Sequence, residues 1–410
     1  MRKRSRKLAA ADNRALISIG VQFWMNGVVI ASFVPRFPEI RTRLGIDVDQ
    51  LGLLLTFGVV GGFAASAACG GLIDRFGTKA VMTTASLGVI VTLPLLGLAS
   101  SPLGFLAALA ALQFFDVLID VPMNLQGSWL SARRQVPVIN RLHGLWSVGA
   151  VTGGIGATIA ASRISLDVHL LAVSIMLLAA LAFIVPRLPT DDAAVDSPAV
   201  DSPAADEAGL EPPPTNGTTS LRLDEGTPPK WLVLATFAAL GALAIVSELV
   251  PGDWGAIRLV DDLDVDPGAA GLAFVGFTVG MVVGRFGGDS ASSKLGRGRL
   301  SRLAVIVGTG GIAVATLSSS PPLAIGGFFV AGLGTAVIFP GLYDVAARAP
   351  GRPGDVLGAM TAGIRVGLLV VPVTVGTLAS GSLSVGQAML VVAVPAAVAF
   401  WLLSWSVERL

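Results

Sequence analysis

GGLIDRFGTKAVM, residues 70–82, is a short charged turn set between two long apolar runs. Upstream lies LGLLLTFGVVGGFAASAACGG (51–71), and downstream lies AVMTTASLGVIVTLPLLGLAS (80–100). Each run has roughly the 20 residues that a helix needs to cross a bilayer. So short a turn forces the two helices to run antiparallel, side by side. Gly71 and Gly77 suit close backbone approach and a tight reversal. Asp74 follows the C-terminal end of the first helix, where a negative charge opposes the helix dipole. A cationic partner is therefore expected for it, either Arg75 or a group on another helix. Lys79, at the start of the next helix, reads as a cytoplasmic anchor.

Composition carries the same reading to the whole chain. Of 410 residues, 53% are hydrophobic, 13% are charged and 50 are glycine. Soluble domains carry about 25% charged residues, so this is read as a polytopic membrane protein. The net charge of +1 offers no basic excess for nucleic acid. Cys69 is the single cysteine, which excludes an intrachain disulfide and a cysteine metal site. His143 and His169 lie in different segments and H-E-x-x-H is absent, so no metal, cofactor or catalytic centre is expected.

Taken in order, residues 1–13 form a basic N-terminus, and a first apolar run covers about 14–34. That run is too long for a signal peptide, lacks a small-x-small cleavage site and contains Gln22, Trp24 and Asn26. Residues 35–50 read as an outer loop. Further spans fall near 51–73, 80–99, 103–130, 138–161 and 167–186. Residues 187–230 hold nine acids and a P-P-P run, the composition of a solvated linker. The Asn216 sequon within it carries no meaning on a cytoplasmic side. Six more runs lie near 231–250, 268–288, 302–319, 322–346, 355–380 and 385–406, followed by a tail at 407–410. The expected fold is all-α with twelve spans, in bundles at 14–186 and 231–406. With both termini and the linker inside, 22 Lys and Arg are cytoplasmic and five are outside, while Arg365 lies within a helix. Internal similarity supports duplication: LGLLLTFGVVGGF (51–63) parallels AGLAFVGFTVGMV (270–282), and Arg75 and Gly77 parallel Lys294 and Gly296. Duplicated bundles place a substrate site near the midplane, between the halves.

A charge at the centre of a spanning helix costs about 2.5–3.5 kcal/mol, so each one requires an explanation. The densest set is QFFDVLIDVPMNLQGSW (113–129), where Asp116, Asp120 and Asn124 recur one turn apart on one face. Two carboxylates so close are expected to hold a proton rather than two charges, as a proton carrier does. The face is either a proton-coupling or substrate surface, or a structural set bonded to neighbouring helices. Pro122 is expected to loosen this helix. Arg365 is read as counter-charge to Asp116 or Asp120, as a solute contact, or as a static interhelix bond. His143 suits a proton relay or a bond to a carbonyl at the helix end, with Trp146 one turn away lining the cavity. In SELVPGDWGAIR (247–258), Pro251 and Gly252 are expected to interrupt the helix where a gate would hinge. Glu248 there is the better functional candidate, with Asp253 and Trp254 at the membrane interface. Arg285 and Asp289 read as an ion pair at a cytoplasmic gate, and Tyr343 with Asp344 as similar. Gln22 and Asn26 share a face, for a polar solute or for interhelix bonds.

The turn at 70–82 resembles the signature loop between the second and third helices of the major facilitator superfamily, roughly G-x-L-x-D-R-x-G-x-[KR]. Gly70, Leu72, Asp74, Arg75, Gly77 and Lys79 match it. The resemblance implies that superfamily's fold of two pseudo-symmetric six-helix bundles. P-x-x-P-E-I-R (35–41), N-x-x-G (124–127), L-H-G-L-W-S-V-G (142–149), E-x-x-x-x-D-W (248–254) and G-F-T-V-G-M-V-V-G-R-F (276–286) resemble a branch of bacterial inner-membrane transporters. That branch is loosely similar to sugar–proton symporters with an acid in the fourth helix, a position Asp116 or Asp120 fills here. Drug–proton antiporters usually carry G-P in a glycine-rich fifth helix; GAVTGGIGA (149–157) has the glycines without the proline. The expected function is secondary active transport of a small polar solute, coupled to protons, by a monomer in the inner membrane with both termini cytoplasmic. The alternatives are proton-driven export of a drug or metabolite, and a membrane sensor that binds solute without moving it. No G-x-x-x-x-G-K-[ST] loop is present for ATP-driven transport.

Overall fold

A computed structural model describes residues 2–134, 138–191, 229–295, 297–348 and 353–407, with the backbone alone at 2–11, 140, 289–294, 297–298, 344, 347–348, 353–354 and 406–407. The linker at 192–228 with its Asn216 sequon, Gly296, and the side chains of Asp289, Lys294 and Asp344 thus lie outside the described residues. Among the described residues, twelve helical spans of 19 to 34 residues are long and apolar enough to cross a membrane. They are built from α1 (Arg2–Phe33) with α2 (Phe37–Leu44), α3 (Val48–Gly58) with α4 (Val60–Phe76), α5 (Thr78–Leu98), α6 (Pro102–Arg134), α7 (Ile139–Ala161) and α8 (Leu166–Ile184). The second half comprises α9 (Lys230–Leu263), α10 (Pro267–Ala270) with α11 (Leu272–Leu295), α12 (Arg297–Leu317), α13 (Pro321–Thr335) with α14 (Ile338–Arg348), α15 (Pro353–Ala379) and α16 (Val385–Val407). The side carrying Gly77 and Lys230 is called the linker side; the opposite end is the far side.

Three elements differ from the sequence reading. Residues 35–50 are not a plain loop: after a 3-10 turn at Val34–Arg36, FPEIRTRL forms α2, ended by Gly45 in the left-handed region at φ 63°. The second span breaks at Val59, between α3 and α4. The seventh is not interrupted at Pro251, for α9 runs on to Leu263. Proline removes the N–H that would bond the carbonyl four residues back. That carbonyl, of Ser247, instead accepts the Thr335 hydroxyl at 3.2 Å, so the backbone group is satisfied and the helix continues.

Both halves repeat one packing plan. α1 lies against α7 as α9 lies against α15, and α5 packs with α6 as α12 packs with α13. Lipid tails supply little hydrophobic force between helices, so close backbone contact must hold such pairs. Gly27 and Gly149 provide it in the first half: a Cβ on Gly27 would collide with the Trp146 carbonyl, and one on Gly149 with that of Trp24. In the second half Gly241 meets the Met360 carbonyl and Gly363 that of Ala238.

The halves are sealed together at the far side. Gly52 abuts the Pro372 carbonyl, and Gly376 lies against Val48 and Asp49. Both guanidinium nitrogens Nη1 and Nη2 of Arg41 donate to the Asp261 carboxylate, tying α2 to α9. A buried arginine staples the far-side end of each half's first span. Arg36 pairs with Glu39 at 2.6 Å and donates to the Ile164 carbonyl. Arg258 donates to the carbonyls of Thr316 and Ser318, both at 3.0 Å, and pairs with Asp262. Asp262 in turn accepts from the N–H groups of Val385 and Gly386 at the start of α16.

Candidate functional site

Toward the linker side, two matching seams join the halves among the described residues. On α11, Arg285 donates to the Ser147 hydroxyl of α7. On α15, Arg365 donates to the Ser66 hydroxyl of α4 at 2.6 Å, with its guanidinium 5.1 Å from the Phe63 ring centroid. α4 and α11 are the linker-side parts of the second and eighth spans, and α7 and α15 the fifth and eleventh. The two seams are therefore related by the internal repeat. Beyond them, Asp120, His143 and Tyr343 are exposed in mid-chain helical positions. A carboxylate exposed within a spanning helix requires water, so a cleft between the halves opens on the linker side.

Asp116 sits at the closed end of this cleft, half-buried. Asn26 Nδ2 of α1 donates to Asp116 Oδ1 at 2.6 Å, and Trp146 Nε1 of α7 donates to Asn26 Oδ1 at 2.8 Å. The chain of bonds links three helices. It exists because the glycines at 27 and 149 bring α1 and α7 into backbone contact beside Asn26 and Trp146. Asp120 is held within its own helix, where Asn124 Nδ2 reaches its carboxylate at 3.1 Å and its carbonyl at 2.8 Å. Gln22 is buried and donates to the Ser86 hydroxyl of α5 at 3.2 Å.

The remaining residues singled out from the sequence fall around this core. The His143 ring meets Phe23 edge-on at 5.2 Å, with Arg285 in electrostatic reach. Arg285 also reaches half-buried Glu248, and Tyr343 lies within reach of both Glu248 and Asp120. Arg365, read as a counter-charge, a solute contact or an interhelix bond, makes its described contacts with Ser66 and Phe63 of α4. Trp254 is not at a membrane interface: it is fully buried, because α9 packs on all sides there. The expected Arg285–Asp289 pair cannot be followed to Asp289, whose side chain lies outside the described residues.

The signature turn departs from expectation in one respect. Asp74 is exposed and has no ion pair among the described residues, while Arg75 lies over the Phe76 ring at 5.1 Å. The described carboxylate at this turn comes from elsewhere. Gly77 adopts φ 79° and ψ 158°, a conformation open almost only to glycine. That brings the Thr78 N–H to Asp191, which accepts from Thr78 N at 3.0 Å and from Thr78 Oγ1 at 2.5 Å. Gln126 Nε2 donates to the same hydroxyl at 3.0 Å. An anion at the start of α5 meets the positive end of its dipole. Gly70 has open space around it, and Lys79 is half-buried on α5. Sequence reasoning missed Asp191, Ser66, Ser147 and the Arg41–Asp261 pair. Their partners lie 113 to 299 residues away, and each residue alone reads as an ordinary polar position.

Comparison with known proteins agrees with this architecture. The family model described as Major Facilitator Superfamily matches residues 19–253. The chain is 27% identical over 376 residues to an MFS-type transporter of Yersinia pestis, covering 90% of each. It is 26% identical to a transporter of Sinorhizobium fredii over 80% of this chain and 81% of that one. Membrane protein MosC of Rhizobium meliloti is 24% identical, over 81% and 75%. Among solved structures, a point mutant of the nucleoside transporter NupG superposes with a TM-score of 0.71 at 13% identity, covering 97% of this chain and 99% of that chain. The unmutated NupG structure gives 0.65 at 14% identity, covering 97% and 98%.

Proposed function

The chain belongs to the Major Facilitator Superfamily, and on that premise we propose that it is a proton-coupled secondary active transporter of a small polar solute. The observation that carries the reading is a pair of carboxylates one turn apart within a spanning helix of a chain built from two repeated halves. Asp116 is held there by Asn26, and Asp120 lies one turn nearer the opening. Intramembrane carboxylates are costly and mark ion or substrate pathways. The count of 22 Lys and Arg against five assigns the linker side to the cytoplasm, with both termini. The conformer is then inward-facing, and transport proceeds as the far-side seal opens and the linker-side cleft closes. Each chain holds both halves and the whole cleft, so a monomer suffices.

Arg285, Arg365, Glu248, His143 and Trp146 supply polar and aromatic groups to hold a solute with hydroxyl or amide hydrogen-bonding capacity. The nucleoside transport named for the fold neighbour makes nucleosides one class to try beside sugars and amino acids. The test is reconstitution in liposomes with an internal pH dye, screening these solutes and cationic dyes. The parent runs beside an Asp116→Asn/Asp120→Asn double variant. Proton flux that depends on one solute class and vanishes in the variant is expected. Solute movement without proton flux, unchanged in the variant, would overturn coupling and leave a uniporter.

A further inference from the structure

We propose that Asn26 and Trp146 are positioning residues that fix Asp116 in one orientation, and that Asp116 rather than Asp120 is the carboxyl group that carries the proton. The proposal rests on the proton-coupled reading above and assigns it to one residue.

An indole N–H donates and never accepts. Trp146 Nε1, 2.8 Å from Asn26, therefore settles which end of the amide faces it: the carbonyl oxygen. The NH2 group of Asn26 must then point the other way, to Asp116 at 2.6 Å. Asp116 Oδ1 is thus committed as an acceptor, and a proton on this carboxyl group sits on Oδ2. Without the tryptophan, Asn26 could turn over and present its oxygen to Asp116. The backbone contacts at Gly27 and Gly149 bring α1 and α7 close enough for the arrangement to form.

Asp120 lacks these features. Its described hydrogen-bond partner is Asn124 on its own helix, and it is exposed to the open cleft. Its described hydrogen bonds stay within α6, although its charge reaches Cys69 on α4 and Tyr343 on α14. Asp116 is instead hydrogen-bonded to α1 and, through Asn26, to α7. The residue after Trp146 is Ser147, which takes Arg285 of the other half. A change of charge at Asp116 therefore acts on the chain of bonds that ends at a seam between the halves. Among the described residues, the charge that acts on Asp116 is that of Asp120 on α6, and its hydrogen-bond donor, Asn26 on α1, is neutral.

The test needs no solute, because the proton is the probe. Full-length protein in a lipid film is stepped from acid to alkaline pH, and infrared difference spectra record the C=O stretch of carboxylic acids. A carbonyl accepting a hydrogen bond absorbs at lower frequency than a free one. The parent is expected to show a pH-dependent, low-frequency carboxyl band that Asp116→Asn abolishes and Asp120→Asn leaves in place. Asn26→Leu and Trp146→Phe are expected to move the band, Asn26→Leu toward higher frequency; a merely structural role would change its size and not its position. Trp146→Phe keeps the ring volume and serves alone if Asn26→Leu fails to fold. A parent with no such band, a band that survives Asp116→Asn, one lost in Asp120→Asn, or one unmoved in Trp146→Phe would overturn the proposal. The two readings fail separately. Solute transport without protons in liposomes would end the coupled reading while these spectra stood. A band belonging to Asp120 would end the assignment while coupling stood.

Discussion

Thr78 gathers three distant parts of the chain, and its energetics are those of a helix start. The Asp191 carboxylate replaces the missing partner of a backbone N–H and also meets the positive end of α5. Removing an N-terminal cap costs about 1 kcal/mol. Asp191→Ala should lower the Tm in detergent by a few degrees, with Asp191→Asn in between. Arg258 has more at stake, since its guanidinium is buried on two carbonyls and on Asp262. Breaking a buried pair of this kind costs about 3–5 kcal/mol, because the remaining carboxylate is left uncompensated. Arg258→Ala should therefore unfold the protein at markedly lower temperature, whereas Arg43→Ala, at an exposed 3.8 Å contact with Asp167, should not move the Tm measurably. At this scale the sequence showed which residues were out of place in a membrane. It placed Asp116, Asp120 and Asn124 on one face, and the one turn between Asp120 and Asn124 lets their side chains bond within the helix. It left Arg365 as a counter-charge, a solute contact or an interhelix bond, and the fold supplies an interhelix bond to Ser66.

Among the elements, the α1–α7 pair shows how glycine builds the site. A valine at Gly149 would drive its Cβ into the Trp24 carbonyl and push the helices apart, at about 1–3 kcal/mol for the overpacking. The same displacement would lengthen the Trp146–Asn26 bond. Gly149→Val should thus lower the Tm and shift the tryptophan emission. Gly70→Ala, in open space, should do neither. Helix positions were legible from apolar runs, since a bilayer demands about 20 such residues. Helix interruptions were not. Pro251 read as a break because its lost bond is a local fact, while the Thr335 hydroxyl that repairs it comes from a helix 88 residues on. The opposite error occurred at FPEIRTRL, where charges suggested a loop and an amphipathic α2 formed against α9.

For the whole molecule, the described conformer closes one side with the Arg41–Asp261 pair and the Gly52–Gly376 seam. An accessible ion pair is worth up to about 1 kcal/mol, or about a fivefold change in a two-state population. Asp261→Asn should accordingly raise the far-side-open fraction about fivefold. Electron–electron distances between labels at Ser101→Cys and Ser382→Cys, in a Cys69→Ala background, would read it. Arg41→Asp with Asp261→Arg should restore the parent distribution, and an unchanged distribution in Asp261→Asn would mean that the glycine seam alone holds the seal. The sequence by itself determined the twelve spans, the duplicated halves and the residues a membrane tolerates only for a reason. Those follow from hydropathy, periodicity and spacing within roughly one helix length. Only the tertiary structure decided that Asn26 and Trp146 orient Asp116, that Asp191 rather than Asp74 serves the signature turn, and that Arg41 meets Asp261. Each is a contact between residues 90 to 220 positions apart, and no local pattern encodes which helix face will meet which.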